Sequence, residues 1–132
     1  MTFNNPLGDL FARIRNASIT KFPEVIVRRS KFIIKVLNWF YIEGYIRGFS
    51  FLNNKQLVVK LKYIYNQPLI KQLDQVSTPS KKFYFSLKKL KRLIKNKRHL
   101  GDIYIISTSQ GLLTLNQCIL KKIGGILIFK IV

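Results

Sequence analysis

The stretch from Ser107 to Thr114 reads Ser-Thr-Ser-Gln-Gly-Leu-Leu-Thr, and its reading decides how the second half of the chain is built. Just before it, Ile103 to Ile106 is an unbroken apolar run with the pattern of a buried strand. After it, a helical stretch leads to Gly124 and Gly125, and Ile126 to Val132 closes as another apolar strand. Hydroxyls and backbone amides on a glycine-permitted loop can hydrogen-bond an irregular polar partner. The same residues also suit a plain turn, with Thr114 capping the next helix.

Working backwards, Leu69 to Val76 and Lys81 to Phe85 read as strands flanking the turn Ser77-Thr78-Pro79-Ser80. Between Phe85 and Ile103 lies Ser86 to Arg98, with Leu87, Leu90 and Ile94 on one side and Lys88, Lys89, Lys91, Arg92, Lys95, Lys97 and Arg98 elsewhere. The spacing predicts a basic amphipathic helix whose cations exceed what solubility needs, so phosphate contact is expected; a lipid headgroup would serve such a helix equally. Residues 67–132 thus form a mainly β module.

The first half reads differently. From Pro6 to Ala17, Leu7, Leu10, Phe11 and Ile14 recur at the spacing of one helical face, with Asn5 as cap and Pro6 in the first turn. Arg13 and Arg15 fall off that stripe, where they either touch phosphate or sit in solvent favouring the helix terminus. Val25 to Val27 is a short strand, and Ser30 opens a second helix with Ile33, Val36, Leu37 and Phe40 inside. Gly44 ends it. Tyr45 to Leu52 and Gln56 to Tyr65 read as strands joined by Asn53-Asn54, a pair tolerant of the positive φ of a tight hairpin. The polar pair and proline at Asn66 to Pro68 mark a boundary. Residues 1–66 are therefore an α-β-α-β-β module, and the fold class is α+β with two small α/β modules.

Composition narrows the partner. The 132 residues carry 24 Lys and Arg against 5 Asp and Glu, a formal charge of +19, yet 48% are hydrophobic. Enough apolar surface exists to fold, so the charge sits on a folded body and calls for a polyanion. The uncharged stretch Ile103 to Leu120 does not suit a membrane span, because Ser107, Thr108, Ser109, Gln110, Asn116 and Gln117 would enter hydrocarbon. The opening residues lack the pattern of a secretory signal. Cys118 and His99 are each the sole residue of their type, and Asp9, Glu24, Glu43, Asp74 and Asp102 are scattered. No metal-ligand spacing or acid–base pair results, so no catalysis, cofactor or small-molecule substrate is expected, and Cys118 is expected to be buried.

The string Ser107 to Thr114, with the glycine pair Gly124-Gly125 and a last apolar strand, resembles the signature of the bacterial-type family of ribosomal small-subunit protein eight. Arg13 to Ala17 (RIRNA), Ser30 to Leu37 (SKFIIKVL), Glu43 to Ile46 (EGYI) and Val76 to Tyr84 (VSTPSKKFY) fall in family order, so the resemblance covers essentially the whole chain. It implies two α/β modules that bind the central domain of small-subunit ribosomal RNA early in assembly, beside neighbouring small-subunit proteins. It further implies that Ser107, Thr108, Ser109 and Gly111 form the RNA-contacting loop, that Tyr84 lies near the RNA, and that Gly124 and Gly125 make a turn. Tyr84 then either stacks on a base or packs on the sheet.

The chain departs from the family pattern at Ser80, usually glycine, Lys82, usually arginine, Arg28, usually proline, and Ile126, often glutamate. Lys82 joins the candidate RNA contacts but cannot form an arginine fork. The basic segment after Ser86 is longer than usual and lacks a proline, which makes the contacts expected of Lys88, Lys89, Lys91 and Arg92 lineage-specific. Richness in Ile, Lys, Phe, Asn and Tyr suggests an A+T-biased genome, and with no targeting peptide read, a mitochondrial, organelle-encoded protein is expected; plastid and bacterial origins are the alternatives. A messenger-RNA regulator and a basic peripheral membrane subunit are the competing functions.

Overall fold

The computed structural model describes residues 5–70, 72–78, 80–95 and 102–131. The chain divides into two compact units between Gln72 and Leu73.

In the first unit, α1 (Pro6–Thr20) begins where Asn5 Oδ1 accepts the Gly8 amide at 3.1 Å, and Pro6 costs nothing where no amide donor is needed. It runs past the expected end at Ala17 and stops at Lys21 in the left-handed region, φ 58°. β1 (Glu24–Arg28) follows, then α2 (Lys31–Ile42), whose cap is the Ser30 hydroxyl accepting Ile33 N–H at 3.2 Å. β2 (Ile46–Phe51) and β3 (Gln56–Leu61) complete an antiparallel sheet of order β1-β3-β2. Strand alternation buries Leu57, Val59 and Leu61 beside Val27 and Ile46. α1 packs on β1 and α2 on β2, and Leu10, Phe11 and Ile14 of α1 are buried together with Ile33, Val36, Leu37 and Phe40 of α2. Full burial of each large side chain contributes about 1.5 to 3 kcal/mol.

Two turns differ from expectation. Neither Asn53 nor Asn54 has positive φ; Asn53 instead accepts the Lys55 amide through Oδ1 at 2.8 Å, and both Leu52 and Asn53 donate to the Gln56 carbonyl. The hairpin is thus a wider loop closed by an Asx turn. The tight turn with two positive φ values is Tyr65-Asn66, at 52° and 63°, joining β4 (Tyr63–Ile64) to β5 (Gln67–Pro68). The break expected at Asn66 to Pro68 is therefore a small hairpin within the first unit, and the strand expected over Gln56 to Tyr65 is divided at Lys62.

The second unit comprises β6 (Leu73–Gln75), β7 (Tyr84–Phe85), α3 (Leu87–Lys95), β8 (Ile103–Thr108), β9 (Gly111–Thr114), α4 (Leu115–Lys121) and β10 (Gly125–Ile131). The strands expected over Leu69 to Val76 and Lys81 to Phe85 shrink to β6 and β7, because each meets β10 only briefly. The sheet order is β6-β10-β8-β9, with β7 also pairing β10. One face carries the core of Leu90, Ile106, Leu113, Leu115, Cys118 and Leu127, with Phe85 and Leu93 packed against it. Leu93, not the expected Ile94, completes the inner face of α3; Ile94 is exposed.

A bulge in β10 sets what faces where. Leu127 pairs with Ile106 and Phe129 with Ile105, leaving Ile128 as the extra residue, so Leu127 and Phe129 turn to opposite faces although two apart. The Ile128 carbonyl accepts the Val76 and Ser77 amides at 2.8 and 3.1 Å. The buried Ser77 hydroxyl donates to the Leu127 carbonyl and accepts the Phe83 amide at 3.0 Å.

Candidate nucleic-acid interface

The segment expected as a loop is a β-hairpin. Ser107 and Thr108 end β8, Ser109 and Gln110 form the tip, and Gly111 opens β9 at φ 104°, a conformation that side chains avoid. Thr108 pairs with Gly111, and its hydroxyl donates to the Gly111 carbonyl at 2.9 Å while accepting the Gln110 amide at 3.1 Å. Thr108 therefore holds the turn. The hydroxyls of half-buried Ser107 and exposed Ser109 make no hydrogen bond with the described residues. Thr114 has the capping role: its hydroxyl accepts Gln117 N–H at 3.3 Å, and Gln117 Oε1 accepts Thr114 N–H at 3.0 Å.

Gly124 and Gly125 do not make a turn; neither has positive φ, and Gly125 already belongs to β10. They are required by close approach. A Cβ on Gly125 would lie 2.3 Å from the Ser107 carbonyl oxygen, and one on Gly124 would lie 2.7 Å from the Phe85 carbonyl oxygen and 3.1 Å from Ser86 Cα. Gly125 thus lets β10 meet β8 at Ser107, and Gly124 seats the junction between β7 and α3.

Register places Tyr84, Ile126, Ser107 and Leu112 in one row across β7, β10, β8 and β9, so their side chains share the face opposite α3 and α4. Tyr84 and Ser107 stand two strand spacings apart, about 10 Å. Tyr84 is 63% exposed and not packed into the sheet. Lys82 is exposed just before it, after a turn in which Thr78 bridges Lys81 and Thr78 Oγ1 accepts the Lys81 amide at 3.1 Å.

Lys88, Lys89, Lys91 and Arg92 are exposed on α3, on the other side of the sheet from Tyr84 and Ser107. Lys97, Arg98 and His99 lie outside the described residues. Arg13 and Arg15 belong to the first unit and part ways there. Arg13 Nε donates to Asp9 Oδ2 at 3.0 Å and its Nη1 to the Ile26 carbonyl at 3.2 Å, so it is neither simply solvated nor a free phosphate ligand. Arg15 is exposed and pairs with no described residue.

Sequence reasoning missed Ser77, which ties the start of β7 to β10, and the pair Phe85 and Leu93. Strand parity was the available signal for Phe85, which must face away from Tyr84. Among the described residues no group of three or more His, Cys, Asp or Glu could hold a metal, and no described helix is long and apolar enough to cross a membrane. Cys118 is fully buried in the core, and that burial pushes its thiol pKa up against a smaller downward pull from Lys121.

Residues 5–132 match the family described as ribosomal protein S8. Small ribosomal subunit protein uS8m of Acanthamoeba castellanii is 40% identical over 125 residues, covering 95% of this chain and 97% of that protein. Small ribosomal subunit protein uS8 of Borreliella afzelii is 39% identical over 132 residues, covering 97% of each chain. The corresponding protein of Hyphomonas neptunium is 38% identical over 128 residues, covering 95% of each. These relatives place the chain among the structural, non-enzymatic components of the small ribosomal subunit. Within that class it belongs to the ribosomal protein S8 family, as the resemblance at Ser107 to Thr114 implied.

Proposed function

We propose that the protein binds the central domain of small-subunit ribosomal RNA and supports its assembly, with residues 73–131 as the main contact. The observation that carries this reading is the row from Tyr84 to Leu112: an exposed aromatic and the uncommitted Ser107 hydroxyl share one face, beside the Ser109 tip. Lys82 and the α3 cations add charge that attracts phosphate without reading sequence. Tyr84 stacks on a base, Ser107 and Ser109 hydrogen-bond base edges or sugar, and Gly111, Gly124 and Gly125 hold the backbone that presents them. Arg15 adds a phosphate contact from the first unit, whereas Arg13 serves mainly to join α1 to β1. The organelle we favour is the mitochondrion, supported by the mitochondrial relative at 40% identity.

The test is a titration of the full chain against a central-domain RNA fragment and an equally long fragment from another domain, at one salt concentration. Tighter binding to the first is expected, and equal affinity would overturn the reading. Fractionation of the source cells should recover the protein with mitochondrial small subunits after a moderate salt wash.

A further inference from the structure

Lys89, Arg92 and Leu93 stand at i, i+3 and i+4 on α3, the spacing of one helical face, and with Phe85 of β7 they line a shallow concavity of about 260 Å³. Its floor is apolar, because Phe85 and Leu93 rest half-buried on the core around Leu90 and Cys118. Its rim is cationic: Lys89 and Arg92 are exposed, and neither pairs with a described residue. Gly124 sits against the junction from Phe85 to Leu87 that leads into this face, where a Cβ would lie 2.7 Å from the Phe85 carbonyl oxygen. Neither α3 nor β7 contains an acid, so the rim selects an anion.

A bare phosphate would satisfy that rim but leave the floor wet. A double helix would offer phosphates while its bases stay stacked inside. An anion that carries its own flat apolar body meets both halves of the groove, and an unpaired nucleotide is such a body. We propose that the concavity of Phe85, Lys89, Arg92 and Leu93 holds one unpaired nucleobase of RNA, with the Arg92 guanidinium over its face and Lys89 on its phosphate. This rests on the reading that α3 faces ribosomal RNA, and it adds a second base position on the face opposite Tyr84. A sheet-end gripped on both faces would fix the orientation of a strand, which charge alone does not do.

The probes are a six-nucleotide oligoadenylate and an abasic strand of equal length and charge, titrated against the full chain carrying Tyr84→Ala so that Tyr84 cannot supply the stacking. The base-bearing strand should bind about tenfold more tightly, the scale of one base stacked on a side chain. Adding Arg92→Lys keeps the charge but removes the planar guanidinium, so the preference should shrink severalfold while affinity for the abasic strand holds. Leu93→Lys should abolish the preference while strengthening binding to the abasic strand. Equal affinity for both strands in the parent protein, or a preference untouched by Arg92→Lys, would overturn the proposal. So would tighter binding of polyglutamate than of oligoadenylate, which would assign the groove to an acidic peptide. If the wild-type chain ignores the central-domain fragment but the base preference persists, the ribosomal reading falls and the groove stands. If it binds that fragment and the preference is absent, the groove alone falls.

Discussion

The Ser77 hydroxyl donates to the carbonyl of Leu127, a residue 50 positions further along the chain, and at the same time accepts the amide of Phe83. One buried side chain thus fixes the approach to β7 against β10 at its bulge. Ser77→Ala leaves a buried carbonyl and amide without that partner, which should destabilise the second unit by about 2 to 4 kcal/mol. Urea unfolding followed by near-ultraviolet circular dichroism measures it, and a loss under about 0.5 kcal/mol would show the bonds to be dispensable.

Gly125→Ala and Gly111→Ala should rank opposite to what backbone dihedrals alone suggest. Gly111 has the positive φ, 104°, but open space around its Cβ position, so alanine there should cost on the order of 1 kcal/mol. Gly125 has no positive φ, but its Cβ would collide with the Ser107 carbonyl at 2.3 Å, so β10 and β8 must part at about 3 kcal/mol or more. Denaturation midpoints of the two variants decide the order.

Hydroxyls in the hairpin should separate into two kinds. Replacing Ser107 and Ser109 together by alanine should leave the fold intact and weaken cognate RNA binding by about ten- to thirtyfold. Thr108→Ala removes both bonds that close the turn and should lower stability by about 1 to 2 kcal/mol before any effect on RNA is counted. Paired RNA titrations and urea melts on the two proteins separate recognition from support.

Salt should report the charge contribution directly. If about 5 to 8 phosphates are neutralised, log affinity for the central-domain fragment falls with log salt at a slope near −5 to −7. Changing Lys88, Lys89, Lys91 and Arg92 to glutamine should flatten that slope by about 2 to 4 and weaken unrelated RNA in proportion. An unchanged slope would remove α3 from the interface.

Cys118 gives stability a dependence on alkaline pH. Burial raises the folded thiol pKa above its unfolded value, so the folded state holds the proton more tightly. The resulting contribution is fully present below the unfolded pKa and is lost as pH rises through the folded one. The stability difference between wild type and Cys118→Ala should stay constant up to about pH 8 and drift against wild type above about pH 9. A difference flat to pH 10.5 would contradict this.

What could be read in the sequence was whatever local chemistry dictates. Asn5, Ser30 and Thr114 cap the helices that their neighbours predict, and Ile33, Val36, Leu37 and Phe40 are buried as their spacing requires. Positions governed by remote partners were not legible. Gly124 and Gly125 look like a turn because the strand backbones that crowd them lie far away in sequence. Tyr65 takes the positive φ that Asn53 and Asn54 seemed suited to, since strand pairing and not side-chain preference decides where a chain reverses. On the short α3, the hydrophobic period could not separate Leu93 from Ile94 until a sheet lay beneath it. For the candidate site, the residue types were visible, but which hydroxyls are already bonded was not.

The position of β10 also carries a consequence for the timing of synthesis. This strand pairs with β6 and β7 along one edge and β8 along the other, yet it is the last described element to be translated. Until it leaves the exit tunnel, β6 and β7 have no ladder to join, Ser77 lacks the Leu127 carbonyl, and the row linking Tyr84 to Ser107 does not exist. The first unit, whose sheet is complete by Leu61, has no such dependence and can fold while the rest is being made. The surface proposed to grip RNA therefore comes into being in one step once β10 has been made, so a chain stopped before β10 cannot occupy the RNA through it.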